Sequence, residues 1–91
     1  MDNQHRKIKG YRELSQAEID LMNEIKALGP LIQAVVEKVY LHLTMQILSA
    51  NVEERDRLFA ATPTRFAELG KDDLQTGLMH LTRAVAQPIF F

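Results

Sequence analysis

Between Pro30 and Ala50 the chain carries apolar residues on two helical faces at once, and that pattern limits what it can fold into. Leu31, Ile32, Val35, Val36, Val39, Tyr40, Leu43 and Ile47 form one stripe, and Ala34, Leu41, Met45 and Leu48 form a second on another side. A surface helix needs a single apolar face, so a helix with two is covered on both. A chain of 91 residues provides one domain, and a domain of that size buries only roughly 60% of its unfolded surface. Three helices of one copy leave one of the two stripes bare. The pattern therefore predicts an all-α chain assembling with copies of itself around this central helix.

The remaining elements are read from helix starts and stops. Ser15 followed by Glu18 is a capping box, and Leu14 and Ile19 fall where a hydrophobic staple would sit. Leu21, Met22, Ile25 and Leu28 make one apolar stripe of a first helix, with Lys26 at its edge. Gly29 and Pro30 read as a stop followed by a new start. Residues 51–61 are charged, with Leu58 and Phe59 as apolar anchors, and either continue the second helix after a bend at Asn51 or form a separate turn. Thr62–Pro63 reads as an N-cap and first helical residue. In the last helix Phe66, Ala67, Leu74, Leu78, Leu81, Ala84 and Val85 share a face with Gly70 and Gly77, a spacing that allows close helix approach. Gln87–Pro88 ends it. The expectation is a single helical domain over 1–91: a basic arm at 1–14, a short helix at 15–28, a long helix at 30–60, straight or kinked, a long helix at 62–87 and an apolar tail at 88–91. The two long helices run antiparallel as a hairpin.

Charge narrows the function classes. Residues 1–12 hold Arg6, Lys7, Lys9 and Arg12 against Asp2, while residues 13–91 hold seven bases against eleven acids, so the chain totals −1. Long nucleic acid is bound by basic domains, because affinity scales with the phosphates neutralised. A short basic segment suits a ligand with a few phosphates, and a solubilising tail is the other reading of the same charges. No apolar run reaches the ~18 residues that span a bilayer, and the N-terminus shows no signal-peptide core. With no cysteine, disulfides, thiolate metal sites and cysteine nucleophiles are excluded. The chain reads as soluble and cytosolic.

Enzyme chemistry finds no foothold. His5, His42 and His80 are scattered without ligand spacing, so neither a metal nor another cofactor is expected. Asp72–Asp73 point different ways on a helix, there is no G-x-S-x-G, and glycine-rich phosphate loops are absent. What remains is a binding constellation of Arg6, Lys7, Lys9, Tyr11, Arg12 and Lys26. An aromatic face stacks on a planar base, and lysine or arginine meets phosphate. The same residues also fit a tyrosine packed on the helix start with its cations in solvent.

The strings QHRKIKGYRELSQAEIDLMNEIKALG (Gln4–Gly29) and LQTGLMHLTRAVAQP (Leu74–Pro88) resemble the helical-hairpin family of phage anti-defence sponges, which includes anti-CBASS and anti-Thoeris proteins. The resemblance implies binding and sequestration of cyclic dinucleotide, and also cyclic trinucleotide, immune second messengers without degrading them, so that host CBASS effectors stay inactive. It implies a compact homo-hexamer with pockets between protomers, acting in the cytoplasm of the infected bacterium. Carried over, Tyr11 in KGYREL matches the aromatic that stacks on a base, and Lys26 in NEIKALG the cation that meets phosphate. Arg6, Lys7 and Arg12 are supporting cations. Arg65 in TPTRFAEL is the candidate arginine of a second, trinucleotide pocket, although Phe66 stands where relatives often carry tryptophan. Arg83 in LTRAVAQP is a family-typical position, read as a structural ion pair. The extra N-terminal β-region of the anti-Thoeris branch is absent, so the anti-CBASS branch is the nearer match. Two other classes compete: a helical inhibitor of a host protein acting through Ile89, Phe90 and Phe91, and a phosphodiesterase, which the lack of a metal cluster or acid–base pair disfavours.

Overall fold

A computed structural model describes residues 13–90 and contains three helices among them: α1 (Gln16–Ser49), α2 (Val52–Ala61) and α3 (Pro63–Ala86). No strand occurs among the described residues. The start of α1 is fixed by the capping box: the Glu18 N–H donates to Ser15 Oγ at 3.2 Å, and the Ser15 N–H donates to Glu18 Oε1 at 2.8 Å. Two orphan donors are thereby satisfied.

The stop expected at Gly29–Pro30 does not form. α1 runs unbroken for 34 residues with Pro30 inside it, and Gly29 stays out of the left-handed region. An interior proline costs about 3 kcal/mol, because it removes one N–H and crowds the carbonyl four residues back, here that of Lys26. The cost is offset by packing that would be lost if the helix broke. Met22, Ile25, Gly29, Ile32, Val36, Tyr40, Leu43 and Gln46 are all half-buried at three- and four-residue spacing, a single seam on both sides of the proline. The short helix at 15–28 and the first part of the long one are thus one rod, about 51 Å long at 1.5 Å per residue.

The expected long helix at 30–60 instead ends at Ser49. Ala50 and Asn51 are extended, and Asn51 Oδ1 accepts from the Glu54 N–H at 2.9 Å. An N-cap of this kind restarts a helix, so the chain does break at Asn51, and residues 52–61 are a helix of their own instead of a turn. Leu58 anchors α2 at 6% exposure, whereas Phe59, expected as a second anchor, is 87% exposed. A three-residue spacer from Asn51 also carries Glu54, which accepts from Arg57 Nε at 3.0 Å and from Gln46 Nε2 at 3.4 Å. The Arg57 hydrogen bond holds the Glu54 carboxyl below its ordinary value.

Thr62 closes α2 and opens α3 in the left-handed conformation, with φ 48° and ψ 53°. Pro63 takes the first helical position as expected, but the Thr62 side chain makes no capping hydrogen bond. α3 then packs antiparallel along α1, as the shared grooves show: residues 22–29 face 78–88, and 29–40 face 71–78. Gln87, left-handed at φ 54°, ends α3 with its N–H on the Arg83 carbonyl at 2.8 Å.

The hairpin measures 60 × 25 × 17 Å with a radius of gyration of 19.7 Å, against about 12 Å for a compact domain of this length. Among the described residues only Leu58 and Ala86 are buried, at 6% and 8% exposure. Of the face expected on α3, Ala67, Leu78 and Val85 are half-buried, but Phe66, Leu74 and Leu81 are exposed. Both sides of α1 beyond the seam are bare, from Leu31 at 66% to Leu48 at 71% exposure. Gly70 and Gly77 do lie toward α1, yet a Cβ built on either meets nothing within 4 Å, so close helix approach is not their purpose. No helix among the described residues is long and apolar enough to cross a membrane.

Candidate functional site

Two furrows run along the α1–α3 seam, and Gly29 sits where they meet. The one nearer the start of α1 has a volume of 520 Å³, within the range usual for small-molecule sites. Its floor is apolar: Met22 and Ile25 from α1, Leu78, Met79 and Ala86 from α3, with Pro88 closing the end. Positions 22, 25 and 29 share the seam because they repeat at helical spacing, and Lys26 follows Ile25 onto the rim. Arg83 and Thr82 line the opposite, α3 side.

The polar groups there differ in what they have left to offer. Thr82 Oγ1 donates to the Leu78 carbonyl at 2.9 Å, leaving it an acceptor toward the groove. Arg83 Nη2 donates to the Phe90 carbonyl at 3.4 Å, and no ion pair is formed by it among the described residues. Among the described residues no acid lines this groove, so an apolar floor lies between two cations. Such a floor takes a planar heterocycle, and the rims take anions.

The second furrow, 690 Å³, is lined by Ile32, Val36, Tyr40 and Leu78, and both a cation, Lys71, and an acid, Glu37, stand in its lining. Gln33 Nε2 donates to Glu37 Oε1 at 3.1 Å. Its charges cancel.

Arg65 lies at the far end of the hairpin, beside Arg55, Leu58 and Phe59 in a 390 Å³ hollow at the α2–α3 turn. Its guanidinium carbon is 5.5 Å from the centroid of the Phe66 ring, a cation–π arrangement. Eighteen residues of α3 separate Arg65 from Arg83, about 27 Å of helix. Lys26 and Arg65 therefore belong to different places on one copy of the chain. Tyr11, Arg6, Lys7, Lys9 and Arg12 lie outside the described residues. Among the described residues no group of three or more histidine, cysteine or acidic side chains is placed to hold a metal ion.

Sequence reasoning missed Thr82 and the groove-facing position of Arg83. Arg83 lies on the Met79–Ala86 side of α3, away from Leu78 and Val85, and its place across the groove from Lys26 follows from the antiparallel register, which no local pattern reveals. Arg55, beside Arg65, was likewise invisible without the break at Ala50–Asn51.

With the geometry in place, comparison with known proteins is informative. The family description "Acb2/Tad1, hairpin domain" matches residues 3–86. The chain is also 43% identical to Anti-CBASS protein 2 of Pseudomonas phage JBD67, with 97% of each chain covered.

Proposed function

The chain belongs to the Acb2/Tad1 hairpin-domain family, and from that premise we propose that it binds and sequesters cyclic di- and trinucleotide immune messengers, releasing them chemically unchanged. The observation that carries this reading is the groove beside Lys26: an apolar floor wide enough for a base, with cations and no acid on its rims. Similarity to a protein named for anti-CBASS activity supports CBASS as the defence that is blocked, within the cytoplasm of an infected bacterium.

In this reading Lys26 neutralises a phosphate. Tyr11, four positions before Ser15 in the sequence, stacks on a base. Arg6, Lys7 and Arg12 add positive potential on the same side. Arg65, at the α2–α3 turn, serves the separate trinucleotide pocket. No bond of the ligand is broken, so no catalytic group is assigned.

The functional unit is a homo-oligomer, read as a hexamer. Support comes from the shortage of buried residues and from the bare second stripe of α1, Ala34, Leu41, Met45 and Leu48. Burying Leu and Met side chains gives about 1.5–3 kcal/mol each, which is what a hairpin with so small a core lacks.

Isothermal titration with a panel of cyclic dinucleotides and trinucleotides, followed by heat denaturation and chromatography of the ligand, tests the reading. Tight binding with intact ligand recovered is expected. A linearised product would instead establish a phosphodiesterase. No binding across the panel, with a stoichiometric host protein retained through Ile89 and Phe90, would establish a protein inhibitor.

A further inference from the structure

Arg83 and the C-terminal tail form an arrangement that sequestration by Lys26 and Tyr11 does not account for. The left-handed turn at Gln87 reverses the chain, Pro88 lies against the groove, and the Phe90 carbonyl reaches Arg83 Nη2 at 3.4 Å. That distance is beyond the usual ~2.7–3.2 Å of a good N–H···O bond, and the acceptor is neutral. A guanidinium has five donors in a planar fork that suits a phosphate held by two parallel bonds.

We infer that Arg83 is the second phosphate-binding residue of the groove, and that the Phe90 carbonyl holds its place until a ligand arrives. The inference rests on the cyclic-nucleotide reading above and extends it to the ligand's shape. Lys26 rises from α1 and Arg83 from α3, on opposite rims of one apolar floor. Two cations so placed select a ligand with anions on two opposite edges, which is the form of a ring closed through two phosphodiesters. A ligand with a single phosphate satisfies one rim only. Exchange of the tail carbonyl for phosphate is favourable, because a charge-assisted bond replaces a long neutral one. Meanwhile the tail keeps the arginine extended along the rim, so less rotamer freedom is lost on binding.

The test compares wild type, Arg83→Ala, Arg83→Lys and a chain ending at Pro88. Each is titrated with a cyclic dinucleotide and with the linear dinucleoside monophosphate carrying the same two bases. Circular dichroism confirms that each variant is folded. Arg83→Ala is expected to weaken the cyclic ligand by about tenfold to a hundredfold and the linear one by about twofold or less. Arg83→Lys should recover part of the loss, since it keeps the charge and forfeits the fork. The shortened chain should bind the cyclic ligand at least as tightly as wild type. Unchanged cyclic-ligand affinity in Arg83→Ala overturns the inference. So does an equal loss in Arg83→Ala and the shortened chain, which would make Arg83 only an anchor for the tail. If wild type binds neither ligand, the cyclic-nucleotide reading itself fails, and this inference with it.

Discussion

The two furrows along the α1–α3 seam are built from the same kinds of residues and differ in charge. Both have apolar floors, both contain Gly29 and Leu78, and the middle one is the larger at 690 Å³ against 520 Å³. Glu37 stands opposite Lys71 in the middle furrow, whereas no acid accompanies Lys26 and Arg83. Size would favour the middle furrow as a binding site. Uncompensated charge favours the other, because a phosphate leaving water needs cations that are not already answered by a carboxylate nearby. The contrast teaches that the rims matter more than the volume.

The largest effect should come from making the first furrow resemble the second. Lys26→Glu is expected to abolish measurable cyclic dinucleotide binding in a titration, a loss of at least about a hundredfold. Glu37→Ala with Lys71→Ala should leave affinity within about twofold, and a large loss there would move the site to the middle furrow. Next in size, Tyr11→Ala should weaken binding by about 1–3 kcal/mol, with the assembly state unchanged in analytical ultracentrifugation. A smaller effect is expected on stability. Since nothing opposes a Cβ at Gly77 within the hairpin, Gly77→Ala should raise stability by about 1 kcal/mol in thermal melts. A fall in melting temperature would mean that another copy approaches α3 there.

The smallest effect concerns the far end. The Glu54 carboxyl is lowered first by its Arg57 hydrogen bond, so its contribution is present above the ordinary carboxylate range and disappears as pH falls through the lowered value. Glu54→Gln should therefore cost a little stability at neutral pH and nothing in strong acid, when measured by melts across pH. Arg57 is mostly in solvent and Glu54 only half-buried, so the change should be small. Binding at Lys26, at the opposite end of the hairpin, should not respond.

How much of this was legible in the sequence depended on whether the signal was local. The Ser15–Glu18 box, Pro63 at the first turn of α3 and the stop at Gln87–Pro88 are local signals, and each marks a real boundary. Gly29–Pro30 is just as strong a local signal and misleads, because the seam from Met22 to Gln46 holds α1 together across the proline. Tertiary packing overrode propensity. Gly70 and Gly77 misled in another way: spacing shows that they share a face, not how far away the facing helix lies. Phe59 shows the reverse limit, since an apolar residue in a charged stretch looks like an anchor until its direction is known.

For the candidate site, the sequence singled out Lys26 by its place beside the apolar stripe and by resemblance. Arg83 was seen, but not its bond to the tail or its place in the groove. Its bond to the Phe90 carbonyl depends on the left-handed turn at Gln87, and its place opposite Lys26 depends on a helix register that brings together residues more than fifty positions apart in sequence. Neither leaves a mark in spacing or composition. The two-faced pattern of α1 was legible, and the structure leaves its second stripe bare. What covers that stripe is a question about copies of the chain.

The most direct test of the binding groove is a crystal structure of the protein with a cyclic dinucleotide bound. The expected result is a base over Met22 and Ile25, with a phosphate at Lys26 and the tail carbonyl of Phe90 released from Arg83. A ligand seated instead between Lys71 and Glu37, or only at the α2–α3 turn beside Arg65, would contradict it.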